Sequence, residues 1–308
     1  MSAPSQPPVA VIDLGSNTCL LLIARRNDDR VEPLVREMEV VRLGEGTAAT
    51  GRLNEAAMER ALAALKKFRM LVLKHGCRQV KCVATAAFRE AQNRGDLAQR
   101  IRQETGFMLE EISGQQEARY VLRAVRHSFP APEGSRIIID IGGGSTELIE
   151  ERDGDLVSVA SLPLGSVRLT ERFLSGDPPA PEELSALQSY ITGALENVPL
   201  PDRAGQIVGV GGTATTFVAM ERQMDRYDHA AVHGAILTGH SLDEILAQCI
   251  KLPLAERKEL PGLHPGRAEV IIAGGLIQSA LLQLLGLNEM LVSDHGLRWG
   301  VALELCDD

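Results

Sequence analysis

The sequence predicts an α/β protein of two duplicated lobes, and two observations carry that expectation. The first is a repeated opening: an apolar strand ends in an acid, a Gly/Ser turn follows, and a second apolar strand departs. It occurs at residues 9–23 around Asp13-Leu14-Gly15-Ser16-Asn17-Thr18. It recurs at 137–149 around Asp140-Ile141-Gly142-Gly143-Gly144-Ser145-Thr146-Glu147. The second is the alternation of short β-branched strands with segments of helical periodicity along the rest of the chain. Internal repetition takes precedence over local signals in setting an architecture. Asp13 and Asp140 therefore fall at matching places in two related halves.

Taken in order, residues 1–8 read as a disordered lead. Strands are expected at 9–12, 20–26 and 31–41, the last two joined by a turn at 27–30. Asn54 can cap a helix to Lys74 whose apolar residues Met58, Leu62, Leu65, Phe68 and Val72 share one face. A strand at 79–83 leads to Arg89, which suits either a phosphate or a neighbouring carboxylate. A helix at 96–105 and a strand at 108–112 follow. The next helix starts at Ser113 and carries Glu117 in its first turn, where the dipole favours an acid whatever its role. The Pro/Gly segment 129–134 marks the domain boundary, giving lobes at 9–128 and 135–308 with the last helix free to return to the first.

In the second lobe, strands are expected at 136–141, 145–151 and 155–160, with Asp153-Gly154 as a hairpin turn. Ser166 and Arg168 open a helix whose N-terminus can attract an anion. A helix at 182–196 precedes a third glycine loop, Gly209-Val210-Gly211-Gly212-Thr213, and a helix from Ala214. His229 and His233 lie four apart in a polar segment and read as solvated or capping residues, since the acid of a metalloprotease motif is missing. Ser241 is expected to cap a helix to Ile250. The helical stretch 267–285 is expected to break at Gly274-Gly275, where backbone can approach a ligand. A strand at 290–292 and a helix at 297–305 close the chain.

These turns have a chemistry. Glycines bare their N–H groups at a strand-to-strand turn, and such donors bind phosphate oxygens. Two carboxylates beside the turn can hold a Mg²⁺ on the same phosphate, because Mg²⁺ prefers oxygen ligands and shared phosphate coordination. A solvated acid pair on a tight hairpin is the plainer reading of one loop. Its recurrence favours a phosphoryl site.

The 308 residues leave room for two domains. A net charge of −9 argues against a nucleic-acid surface, and aromatic residues at 3% leave little for base stacking. No apolar run approaches the roughly 20 residues of a membrane span. The five cysteines are scattered without a CxxC pair, so neither zinc nor a disulfide framework is indicated, and a reducing cytoplasm fits. Cys19 and Cys82 read as core.

With the motif from Asp13 to Thr18, that from Ala84 to Arg89, that from Ile112 to Ala118, that from Asp140 to Glu147, that from Gly209 to Thr213, and Gly296-Leu297-Arg298 in order, the chain resembles the exopolyphosphatase / guanosine pentaphosphate phosphohydrolase family of the actin–Hsp70–sugar kinase superfamily. The resemblance implies two ribonuclease H-like lobes with the active site between them. It implies hydrolysis of a terminal phosphoanhydride, with Glu117 as the base for the attacking water and Asp140 and Glu147 assisting through Mg²⁺ (Mn²⁺ as substitute), with Asp13 as a further metal candidate. It assigns phosphate binding to Ser16, Asn17, Thr18, Arg89, Gly142, Gly143, Gly144, Ser145, Ser166, Gly211, Gly212, Thr213 and Arg267. It also implies a homodimer.

The chain departs from that family at several points. Leu20 stands where many relatives carry a basic residue, which removes a phosphate contact from the first turn. Gln116 replaces an acid common before the catalytic Glu, a change expected to have no consequence. Trp299 replaces a charged residue and suits a hydrophobic seam or a subunit contact. Longer relatives add a C-terminal helical domain of HD type beyond the equivalent of Asp308, so processivity on long polymers is not expected. Inorganic polyphosphate is the leading substrate. The rivals are guanosine pentaphosphate as substrate of a 5′-phosphohydrolase, and a non-hydrolytic sensor of guanosine tetraphosphate or pentaphosphate.

Overall fold

The protein is described by a computed structural model covering residues 7–28, 30–196, 198 and 205–307. Most of the lead expected at 1–8 lies outside the described residues. Two compact units are present, one running to Ala124 and taking in the chain from Leu297, the other spanning Val125–Gly296.

The first unit contains β1 (Val9–Leu14), β2 (Thr18–Asn27), β3 (Arg30–Val40), α1 (Thr47–Thr50), α2 (Glu55–Lys74), β4 (Gln79–Ala84), α3 (Ala86–Glu90), α4 (Arg94–Thr105), β5 (Leu109–Glu111) and most of α5 (Gly114–Ser128). Its sheet runs β3-β2-β1-β4-β5, with the first three strands antiparallel and β1, β4 and β5 parallel. Asn54 caps α2 as expected, its side chain accepting the Ala57 N–H at 2.7 Å. The face from Met58 to Val72 is buried against the sheet core of Ile12, Leu14, Leu21 and Ile23.

The second unit contains β6 (Ser135–Ile141), β7 (Thr146–Arg152), β8 (Asp155–Leu162), α6 (Ser166–Phe173), α7 (Pro181–Leu195), β9 (Gln206–Val210), α8 (Gly211–Glu221), α9 (His229–Val232), β10 (Ala235–Thr238), α10 (Gly239–Lys251), α11 (Leu254–Arg257), α12 (Ile271–Leu284) and β11 (Glu289–Ser293). Its sheet runs β10-β11-β9-β6-β7-β8. Without the antiparallel edge strand β10, that order repeats the first sheet strand for strand, in the same parallel and antiparallel senses. The duplicated α/β architecture is therefore present in both units. The last helix, α13 (Leu297–Asp307), packs on β1, β2 and β3 of the first unit. Trp299 is buried there beneath the Arg36 guanidinium, so it fills an internal seam.

Three local expectations are corrected. β10 occupies part of the polar segment that the sequence left without a strand. Thr238, not Ser241, caps α10, its hydroxyl accepting the Ser241 N–H at 3.1 Å. Gly274 and Gly275 do not break α12; a Cβ on Gly274 would lie 2.8 Å from Thr213 Oγ1, and one on Gly275 2.6 Å from Phe217 Cζ. The close backbone approach is made by α8, not by a ligand.

Candidate active site

The two hairpins close in the same way. Gly15 N–H donates to Thr18 O at 3.0 Å, and Gly142 N–H to Ser145 O at 2.9 Å. In both, the turn carbonyls are tied to the segment after the third strand. Gly44 N–H donates to Ser16 O, and the Val41 and Arg42 N–H groups to Asn17 O, at 2.8–3.0 Å. In the second unit, Ser166 N–H donates to Gly142 O, the Val167 and Arg168 N–H groups to Gly143 O, and Arg168 Nε to Gly144 O, at 2.9–3.1 Å.

That anchoring orients the other side of each turn. A trans peptide sets the next N–H opposite each carbonyl, and no cis bond occurs here. With the carbonyls of 142–144 turned to α6, the N–H groups of Gly143, Gly144 and Ser145 point away from it together. Successive N–H groups in this arrangement favour an anion. The N-terminal N–H groups of α6, including that of Ser166, are taken up by the turn itself. Gly165 makes this possible, since a Cβ there would collide with Gly143 O and the Gly144 backbone.

The acids flank the second turn. Asp140 on β6 and Glu147 on β7 are direct cross-strand partners, so both side chains leave the same face of the sheet within reach of each other. Glu147 is 1% exposed, and its Oε1 accepts from the hydroxyls of Ser145 and Ser161, each at 2.8 Å. Asp140 borders the start of α8: Gly211 has φ +79°, and a Cβ on it would collide with Asp140 Oδ1. The Arg267 guanidinium lies against Gly212, leaving no room for a side chain there. Thr213 packs against α12. Burial, aided by the Arg267 charge, pushes the His264 imidazole below its usual range.

In the first unit, Glu117 and Arg89 come together. Arg89 Nη1 donates to Ile112 O at 2.8 Å and lies 3.9 Å from Glu117 Oε2. The Glu117 carboxylate is thus one neighbour of the Arg89 guanidinium. Glu117 is set by a reciprocal cap at the start of α5. Gln116 N–H donates to Ser113 Oγ at 3.2 Å, and Ser113 N–H to Gln116 Oε1 at 2.9 Å. A carboxylate at 116 would accept the same bond, so the departure at Gln116 leaves the cap intact. Ser16 and Asn17 are buried in the first turn, and Thr18 opens β2. Asp13 Oδ1 is buried without a hydrogen-bond partner among the described residues. Burial pushes the Asp13 carboxyl up to about 6, against an opposing pull from the Arg298 charge.

Sequence reasoning missed two residues. Ser161 and Gly165 act through contacts far along the chain, so no local pattern flags them. His229 Nδ1 sits 2.8 Å from Asp294 Oδ2, and the His233 ring stacks on His295 with centroids 4.0 Å apart. His233 is the C-cap of α9, as the capping reading allowed, and the His229 and His233 rings also take part in a cluster beside Asp294.

Among the described residues, no group of three or more His, Cys, Asp or Glu side chains could hold a metal ion. Two opposed carboxylates lie beside a turn of N–H donors. They fit Mg²⁺, which keeps waters and shares its ligands with substrate phosphate.

Residues 22–308 match the model of the Ppx/GppA phosphatase family. Exopolyphosphatase 2 of Mycobacterium tuberculosis is 34% identical over 96% of this chain and 98% of its own length. The Aquifex aeolicus Ppx/GppA family member superposes with a TM-score of 0.82 at 35% identity, covering 99% of each chain. An exopolyphosphatase from Cytophaga hutchinsonii superposes with a TM-score of 0.90 at 29% identity, covering 97% of this chain and 98% of that one. The duplicated hairpins, the opposed acids and these likenesses agree: the chain belongs to the Ppx/GppA phosphatase family.

Proposed function

We propose that the protein is an exopolyphosphatase that hydrolyses the terminal phosphoanhydride bond of inorganic polyphosphate and releases orthophosphate. The observation that carries this reading is the Asp140–Glu147 pair beside a turn whose three N–H groups point one way. A water deprotonated by Glu117 attacks the terminal phosphorus. The bond from that phosphorus to the bridging oxygen breaks, and the oxygen leaves with the shortened chain. Such chemistry depends mainly on positioning and charge neutralisation. The turn N–H groups, Arg89 and Arg267 are suited to the phosphate oxygens. Asp140 and Glu147, with Asp13 as a further candidate, would hold Mg²⁺ or Mn²⁺, which supplies charge neutralisation on the phosphate. A cytoplasmic homodimer accompanies this reading.

The test is phosphate release from short polyphosphate, long polyphosphate and guanosine pentaphosphate, with and without Mg²⁺, for wild type and Glu117→Gln. Mg²⁺-dependent release from polyphosphate that Glu117→Gln abolishes is the expected result. Release mainly from guanosine pentaphosphate would move the activity to the nucleotide. Tight guanosine tetraphosphate binding without any release would leave a sensor.

A further inference from the structure

Asp140, Glu147 and Ser161 form one row across β6, β7 and β8, each directly opposite the next. The first unit builds the same row from Asp13, Leu20 and Met38. The duplicated fold thus tolerates apolar side chains at the second and third places, and packing alone does not call for Glu147 or Ser161. Ser161 is an exposed residue on an edge strand. Water would satisfy its hydroxyl there, so Ser161 itself does not need the bond to Glu147. Its effect falls on the carboxylate.

The terminal torsion of a Glu side chain is broad and roughly two-fold, so burial alone does not orient its oxygens. The two hydroxyls do, because Ser145 and Ser161 both donate to Oε1, one from the turn and the other from β8. We propose that Ser161 is a positioning residue for Glu147, fixing the carboxylate plane so that the face shared with Asp140 takes a divalent cation. This rests on the reading of Asp140 and Glu147 as the Mg²⁺-holding pair. Partners that orient a metal ligand typically contribute about 10–100-fold to metal affinity or activity.

The experiment compares wild type, Ser161→Ala, Ser161→Thr and Glu147→Gln. Mn²⁺ binding is followed by electron paramagnetic resonance in the presence of inorganic phosphate, and Mg²⁺ dependence by polyphosphate hydrolysis. Ser161→Ala is expected to weaken Mn²⁺ binding about 10–100-fold. It should raise the Mg²⁺ needed for half-maximal rate by a similar factor, with an unchanged Tm and a kcat that recovers at high Mg²⁺. Ser161→Thr, which keeps the hydroxyl, should restore both. Wild-type Mn²⁺ affinity in Ser161→Ala, with Glu147→Gln impaired, would overturn the role of Ser161 alone. A rate loss that high Mg²⁺ does not recover, or that comes with a lower Tm, would overturn it too. No Mn²⁺ binding by wild type, or no loss in Glu147→Gln, would overturn the metal reading beneath it.

Discussion

Asp140 faces Glu147 across β6 and β7, whereas Asp13, at the same point of the duplicated hairpin, faces Leu20 across β1 and β2. One fold thus carries a carboxylate pair in one unit and a carboxylate beside an apolar residue in the other. The difference separates what the hairpin needs for folding from what the second unit adds. Glu147→Leu copies the first unit's solution and is expected to fold with a Tm near that of wild type. Its phosphate release should fall on the order of 10²–10³-fold, as when a preorganised electrostatic group is removed from other sites. A Glu147→Leu protein with wild-type turnover would remove Glu147 from the mechanism.

Two glycines at the second unit's turns are expected to respond differently to a methyl group. At Gly165 the obstructing atoms are backbone of Gly143 and Gly144, which cannot move without opening the turn. Gly165→Ala should lose stability by about 1–3 kcal/mol, the usual range for overpacking, and lose activity with it. At Gly212 the obstruction is the end of the Arg267 side chain, which can swing away. Gly212→Ala should keep its denaturation midpoint while its KM rises. Equal stability losses for the two variants would contradict this distinction.

The duplicated hairpins, the α2 cap at Asn54 and the Asp153-Gly154 turn were legible because each is written within a few residues. Asp153 and Gly154 both take positive φ, as that turn requires. β10 was not legible: four residues between two glycines become a strand only by pairing with β11. The pairing of Asp140 with Glu147 follows from hairpin register and could be counted from the sequence. The Ser161 and Arg168 bonds, and the obstruction at Gly165, depend on where β8 and α6 return. Gly274 and Gly275 misled because a helix-breaking residue was weighed without the neighbour it accommodates, here Thr213 and Phe217 of α8.

The cap at the start of α5 offers a graded test of how Glu117 is held. Ser113→Ala removes the acceptor for Gln116 N–H, a change that typically costs about 0.5–2 kcal/mol. Gln116→Ala loses the reciprocal bond to Ser113 N–H, while Gln116→Glu retains an acceptor. Both alanine variants should lower kcat more than they change KM, because the first turn that carries Glu117 frays. Gln116→Glu should match wild type in stability and rate. A Gln116→Ala protein that keeps full kcat would show that Glu117 is held without the cap.

Asp13 should make stability fall as pH rises. Its folded-state value of about 6 lies above the ordinary 3.8, with burial as the main cause. Below about pH 4 both folded and unfolded chains hold the proton, and no charge is desolvated. Between those values the folded state binds the proton more strongly than the unfolded state, so stability falls with pH until the folded carboxyl has ionised. Asp13→Asn has no such proton. Its stability relative to wild type should rise from near zero at pH 4 to at most about 3 kcal/mol at pH 7.5, at 1.36 kcal/mol per pH unit. Arg298→Met should steepen the wild-type trend, because the Arg298 charge draws the Asp13 value down. Urea denaturation of the three proteins at the two pH values measures both effects. A stability gap between wild type and Asp13→Asn that is the same at pH 4 and pH 7.5 would mean that Asp13 ionises as freely in the folded chain as in water.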